Sequence, residues 1–258
     1  MTYNVLLIKY NIREVKMSEK QQLYKTTIEQ LLNEIQTGKY SKLQKLPPEV
    51  EIAEDYGVSR TLIRDCLMTL EQEGIITRKL GVGTVINKHV LDVITRMDLE
   101  VEFFDMIAQA GYKPGIAFIN INEAVTDEAV AKKLHINKND LLVSVEKVIT
   151  ADGKPAIYCT DYFPKKLITH KSPDYEMLKK PIFDFLKKFC NLEVYMDLTE
   201  VKAINVDKTL AEKLDAKEGT PIIFMDEIGY SFKGKPILHS KEYYADGIFK
   251  QTVLRKKI

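Results

Sequence analysis

Apolar residues at Tyr24, Ile28, Leu31 and Ile35 recur at spacings of 4, 3 and 4. That is one buried stripe of a helix, which Gly38 closes. Pro47 and Pro48 interrupt helical continuation and open a second helix, with Glu49 and Glu51 in its first turn and Ile52 and Ala53 facing inward. Gly57 permits a tight turn. Ser59 is suited to cap a third helix, whose buried stripe is Ile63, Cys66, Leu67 and Leu70 and which Gly74 ends. Two short strands follow, about Ile75–Arg78 and Thr84–Asn87, joined by a turn whose glycines accept positive φ.

Beyond residue 88 the pattern changes. Residues 101–111 predict a helix burying Val101, Phe104, Ile107 and Ala108. From there strand-like runs alternate with short helices, and the run repeats itself. Asp127, Ala131, Lys133 and Leu134 recur eighty residues later as Asp207, Ala211, Lys213 and Leu214. Gly153-Lys154-Pro155 recurs as Gly234-Lys235-Pro236. Each copy predicts a short helix, a long strand, a hairpin and a second strand. Two such halves pair into one antiparallel sheet with helices on a face, so the fold class is α+β and not doubly wound.

Composition narrows the partner only slightly. With 38 Lys+Arg against 37 Asp+Glu the net charge is +1, which excludes a uniformly basic coat and an acidic tail. Cys66, Cys159 and Cys190 are odd in number and show no metal-ligand spacing, which speaks against a disulfide framework, a zinc site or any other metal, and points to a reducing cytoplasm. No apolar run reaches the length of a membrane helix, so no membrane partner is expected. Residues 1–17 form an untargeted extension. No nucleophile–base constellation or carboxylate pair marks an enzyme, and no cofactor is implied.

Helix, helix, turn, helix, hairpin over residues 18–88 is the order of a winged helix-turn-helix, a double-stranded DNA reader. Its third helix enters the major groove, where arginine suits the guanine edge. Arg60 and Arg64 lie one turn apart on the face opposite the buried stripe, with Thr61 beside them. This segment holds ten Lys/Arg and ten Asp/Glu. Its binding must therefore rest on a few placed residues rather than on bulk charge.

The motifs VSR-T-x-x-R, L-x-x-L-E-x-E-G-I-I and G-x-G-T, in that order, resemble the N-terminal domain of GntR-family transcription regulators. The resemblance implies DNA contacts from Arg60 and Arg64 on the recognition helix and from Gly81, Gly83 and Thr84 on the wing. Lys45, Ser59, Thr61 and Lys79 complete the expected DNA-binding set. The chain departs from the family where Pro48 and Val50 replace a common serine and a common basic residue. The repeat, with DYFP at Asp161–Pro164, resembles the UTRA effector domain of the HutC subfamily, which is similar in fold to chorismate lyase. That resemblance implies a homodimer and a small-molecule effector, often a phosphorylated sugar in that subfamily.

The expected effector residues are Thr95, Arg96, Lys147, Cys159, Glu242, Tyr243 and Tyr244. Lys147 stands where an Arg-x-Arg pair usually holds phosphate, and Cys159 where a glutamate is common. The polar code of a sugar-phosphate pocket is thus thinned, and an anion would fall to Arg96 and Lys147. In the repeat Lys147 aligns with Glu227, and the two could instead pair. The expected domains are 18–88 for DNA binding, 89–98 as linker and 99–258 for effector binding and dimerisation. The expected function is a repressor relieved by a metabolite. The alternatives are a C-terminal domain that only dimerises, or an enzyme on a chorismate-lyase-like fold.

Overall fold

The structure, a computed structural model, describes residues 18–256 apart from 92, 94, 126 and 127. The extension 1–17 and Asp127 of the repeat lie outside the described residues. The described residues form two compact units, one of residues up to 98 together with 251–256, and one of residues 99–250.

In the first unit α1 (Glu19–Gln36), α2 (Glu49–Tyr56) and α3 (Arg60–Gln72) precede a hairpin of β1 (Ile76–Lys79) and β2 (Gly83–Ile86). Each strand is thus displaced by one residue from its expected span. Ser18 and Gln21 form a reciprocal capping box that fixes the start of α1. The stripes of the three helices meet in one core, in which Leu31, Ile52, Ile63, Cys66 and Leu70 are fully buried. The segment before α2 adds to the wing, with Leu46 N–H donating to Thr84 O at 2.9 Å and Ile86 N–H to Gln44 O at 2.9 Å.

Two expectations fail at the boundary. The stretch expected as linker begins with a short helix α4 (Lys88–Leu91) that buries Val90. The chain end, expected in the effector domain, belongs to the first unit: Met97 N–H donates to Thr252 O at 2.8 Å, and Lys256 Nζ donates to Glu71 O at 2.8 Å. A returning C-terminus has no periodicity to announce it.

The second unit opens with α5 (Phe103–Gln109), which buries Met106 and Ile107, while Ala108, expected inside, is exposed. Then come β3 (Pro114–Val125), α6 (Glu128–Lys133), β4 (Leu141–Ala151), β5 (Lys154–Pro164), α7 (Ile182–Cys190), β6 (Met196–Asn205), α8 (Lys208–Leu214), β7 (Pro221–Tyr230) and β8 (Pro236–Tyr244). They build one six-stranded antiparallel sheet in the order β3-β4-β5-β8-β7-β6. The order reads the same from either side of the β5–β8 seam, as the internal repeat requires.

Strand alternation gives this sheet two unlike faces. One carries Val143, Val145, Phe163 and Leu238 against Phe185 and Leu186 of α7. The other carries the Tyr158–Tyr243 stack, with ring centroids 5.4 Å apart, in a cluster with Leu210 and Leu214 of α8. On that second face His239 bonds Asp226 at 2.8 Å, and burial holds its imidazole below the usual range.

Candidate DNA-reading face and effector site

The exposed side of α3 is organised by one carboxylate. Glu49, in the first turn of α2, lies 3.6 Å from Arg60 Nε and accepts from Arg64 Nε and Nη2 at 3.3 Å each. Arg78 of β1 approaches its other oxygen at 3.9 Å and is fixed by Glu71, to which its Nε donates at 2.8 Å. Glu49 itself is only 22% exposed, whereas Arg60 and Arg64 remain 60% and 56% exposed. The arginines are therefore aimed by Glu49 without being covered.

The other expected DNA residues fall into three roles. Ser59 Oγ accepts from Leu62 N–H at 3.2 Å, so its side chain caps α3. Thr61 and Lys79 are exposed. Lys45 Nζ donates to Val82 O at 3.0 Å and ties the wing to the segment before α2. Gly81 and Gly83 have φ of +77° and +97°, and a Cβ on either would meet nothing within 4 Å. Their need is conformational, not one of space. Thr84 is half-buried on β2. Sequence reasoning passed over Leu80, fully exposed at the wing tip, and Glu49 as the hub. An apolar residue inside a glycine turn was the available signal for Leu80.

In the second unit the expected effector residues divide. Lys147, Cys159 and Glu242 are consecutive cross-strand partners on β4, β5 and β8, and all are buried. The adjacent row runs Asp161, Ser240, Glu227, Thr199 across β5, β8, β7 and β6. Lys147 Nζ lies 3.6 Å from Asp161, which also accepts from Ser240 Oγ at 2.8 Å. The buried cation is thus neutralised by Asp161 and not by Glu227. Glu227 accepts from Thr199 Oγ1 at 2.7 Å and shares a hydrogen bond with Glu242, which accepts from Tyr244 OH at 2.5 Å.

Burial, then the like charges of Glu227 and Glu100, pushes the Glu242 carboxyl well up; burial also raises Glu227. Burial thus favours the neutral form of both carboxyls. Asp197 is pushed up to about 7 by burial and by Glu227. Burial raises the Cys159 thiol, which fills space beside Lys147.

Three expected effector residues are placed elsewhere. Tyr243 lies on the opposite face, against Phe224 with centroids 4.8 Å apart, because adjacent strand residues point to opposite sides. Thr95 and Arg96 are buried in the first unit. Arg96 donates to Glu73 O at 2.9 Å and is clasped by Asp98 through Nε and Nη2. Asp161, Ser240, Thr199 and Asp197 were missed. The repeat held the signal, since Asp161 precedes Glu242 by eighty-one residues, the same offset as the hairpins.

Comparison with known proteins agrees with both units. The family model described as bacterial regulatory proteins, gntR family, matches residues 23–86, and the UTRA domain model matches residues 109–250. The chain is 22% identical over 222 residues to the HTH-type transcriptional repressor NagR of Bacillus subtilis, covering 86% of this chain and 90% of that one. It is 23% identical to a probable fructoselysine utilization operon transcriptional repressor of Escherichia coli, over 87% of this chain and 90% of that one. Among solved structures, the possible transcriptional regulator YydK of Bacillus subtilis superposes with a TM-score of 0.74 at 20% identity, covering 91% of this chain and 99% of the other.

Proposed function

Because the chain belongs to the gntR family of bacterial regulatory proteins, as a DNA-binding transcription regulator with a UTRA domain of the HutC type, we propose that it is a cytoplasmic homodimeric repressor released from its operator by a small molecule. The observation that carries the DNA half is the arginine set around Glu49. Arg60 and Arg64 read base edges in the major groove, with Thr61 beside them, and the wing tip of Lys79, Leu80, Gly81 and Gly83 meets the flanking backbone or minor groove. Lys45, Ser59 and Thr84 position that surface rather than touch bases.

The effector half rests on the buried polar rows of the sheet. Lys147 is already balanced by Asp161, while among the described residues no Lys or Arg pairs with Glu227, Glu242 or Asp197. A phosphorylated sugar would find no free positive charge among the described residues of these rows. A polar effector that donates hydrogen bonds, and best one bearing an amine, would find acceptors. Its binding shifts the spacing of the two DNA-reading units and so lowers operator affinity.

The test is release of the chain from its own upstream DNA by a panel of amino-sugars and sugar phosphates, read by gel shift beside thermal shift. Release and stabilisation by amine-bearing compounds supports the reading. Release by a hexose phosphate at equal or lower concentration rejects the pocket chemistry and leaves the regulator intact.

A further inference from the structure

We propose that the chain's own C-terminal segment, Thr252–Lys256, is a positioning element for operator recognition: it caps the far end of α3 and, through Glu71 and Arg78, sets Glu49 and the arginines that Glu49 holds. This rests on the DNA reading above and deepens it, because the residues that fix α3 then lie where the chain enters and leaves the second unit.

The C-terminal end of a helix leaves carbonyls without intrahelical partners, and Lys or Arg side chains can satisfy them. α3 has no basic residue in its own last turn. Two cations from outside the helix serve that end. Lys256 Nζ donates to Glu71 O at 2.8 Å and also to Gln72 O. Arg96 Nη1 donates to Glu73 O at 2.9 Å. The two cations are tied to each other through the backbone beside them. Asp98 clasps Arg96 and accepts from Leu254 N–H at 3.4 Å, and Met97 N–H donates to Thr252 O at 2.8 Å. Leu254 adds shape. A Cβ on Gly74, just past the cap of α3, would lie 2.4 Å from Leu254 Cδ2. The leucine thus occupies the space that a side chain at 74 would need.

From that end a line of contacts runs to the arginines. Glu71 offers its backbone oxygen to Lys256 and its carboxylate to Arg78, accepting from Arg78 N–H and Nε at 2.8 Å each. Arg78 lies 3.9 Å from Glu49, and Glu49 holds Arg60 and Arg64. A contiguous network of this kind is a physical route by which a change at one end biases the other. The chain passes into the second unit after Asp98 and returns from it at Gln251. Both segments reach α3 within a few residues of those crossings, so a change in the second unit that moves either segment acts on the cap.

The experiment uses the full chain. Fluorescence anisotropy at fixed salt measures binding to its own upstream duplex and to an unrelated duplex, and amide hydrogen exchange follows α3. Lys256 is exposed, so its substitution leaves the cores intact. Lys256→Met with Leu254→Ala is expected to weaken upstream-duplex binding at least about fivefold, to leave the unrelated duplex unchanged, and to quicken exchange in the last turn of α3. Lys256→Arg alone still donates to the carbonyls and should match the wild type in both readouts. Unchanged upstream binding in the double variant overturns the proposal, and so does unchanged exchange. An equal loss on both duplexes also overturns it, because Lys256 would then be a plain phosphate contact. A Lys256→Arg chain as weak as the double variant counts against the cap in the same way. A wild type that binds both duplexes alike rejects the DNA reading itself. The proposal then falls with that reading, and the exchange measurement still decides whether Lys256 holds α3.

Discussion

The Lys213 ammonium lies 2.9 Å from the Glu146 carboxylate, and the two belong to different copies of the internal repeat. The same contact recurs eighty residues away with roles exchanged, where Lys133 of the first copy pairs with Asp226 of the second. Each copy sends its short helix across the β5–β8 seam to the other copy's long strand. Neither half can therefore complete its charge pairing alone.

These crossed pairs are semi-buried, and removing one partner strands the other. Lys213→Met also removes the cation above Phe118. It is expected to cost about 1.5–3 kcal/mol, the range for hydrogen bonds to charged groups. Urea denaturation followed on the sheet should show a lower midpoint with an unchanged slope. An unaltered midpoint would mean that the seam is held by apolar packing only.

Lys147 and Asp161, each about 5% exposed or less, form the deepest pair described. Lys147→Met leaves a buried carboxylate unpaired and is expected to cost about 3–5 kcal/mol. Lys147→Met with Asp161→Leu should recover most of that loss. Thermal denaturation of the two variants separates a structural pair from a cation kept for a ligand. If the double variant is as unstable as the single one, the pair is not the origin of the loss.

Asp197 supplies a pH dependence of known sign. Its folded carboxyl titrates at about 7 and its unfolded one near 3.8. The folded state thus holds a proton that the unfolded state has released across that window. Its stabilising contribution is complete below pH 4 and is lost as pH rises toward 7, at up to about 1.4 kcal/mol per pH unit. Asp197→Asn should flatten the melting temperature between pH 5 and 7.5. An equally steep profile in the variant would assign the dependence to Glu227 and Glu242.

Glu49 restrains three arginines and places a negative charge on the face proposed to read DNA. Glu49→Gln is expected to raise affinity for unrelated duplex several-fold at low salt and to narrow the ratio of operator to non-operator binding. Parallel titrations on the two duplexes measure this. A ratio unchanged from wild type would show that the arginines orient without Glu49.

Much of the fold was legible because it is local or repeated. The stripes of α1 and α3, the Ser59 cap and the glycine hairpin are short-range signals, and the eighty-residue offset exposed the symmetric sheet. What stayed hidden depends on distant pairing. Asp161 meets Ser240 only because β5 and β8 form the seam. Arg96 looked like an anion ligand until Asp98 and Glu73 were seen to clasp it. Tyr243 and Tyr244 were ambiguous because strand parity is settled by register. Met106 displaced Ala108 from the core because α5 starts at Phe103, so its inward face is rotated from the one expected.

The central claim is that the face of α3 reads DNA sequence. Its most direct measurement is fluorescence anisotropy of the chain's own upstream duplex, comparing wild type with the Arg60→Ala, Arg64→Ala double variant at fixed salt. At about 1–3 kcal/mol for each base-contacting arginine, operator affinity should fall at least about thirtyfold. Binding to unrelated duplex should fall much less. Operator affinity unchanged in the double variant would contradict the account.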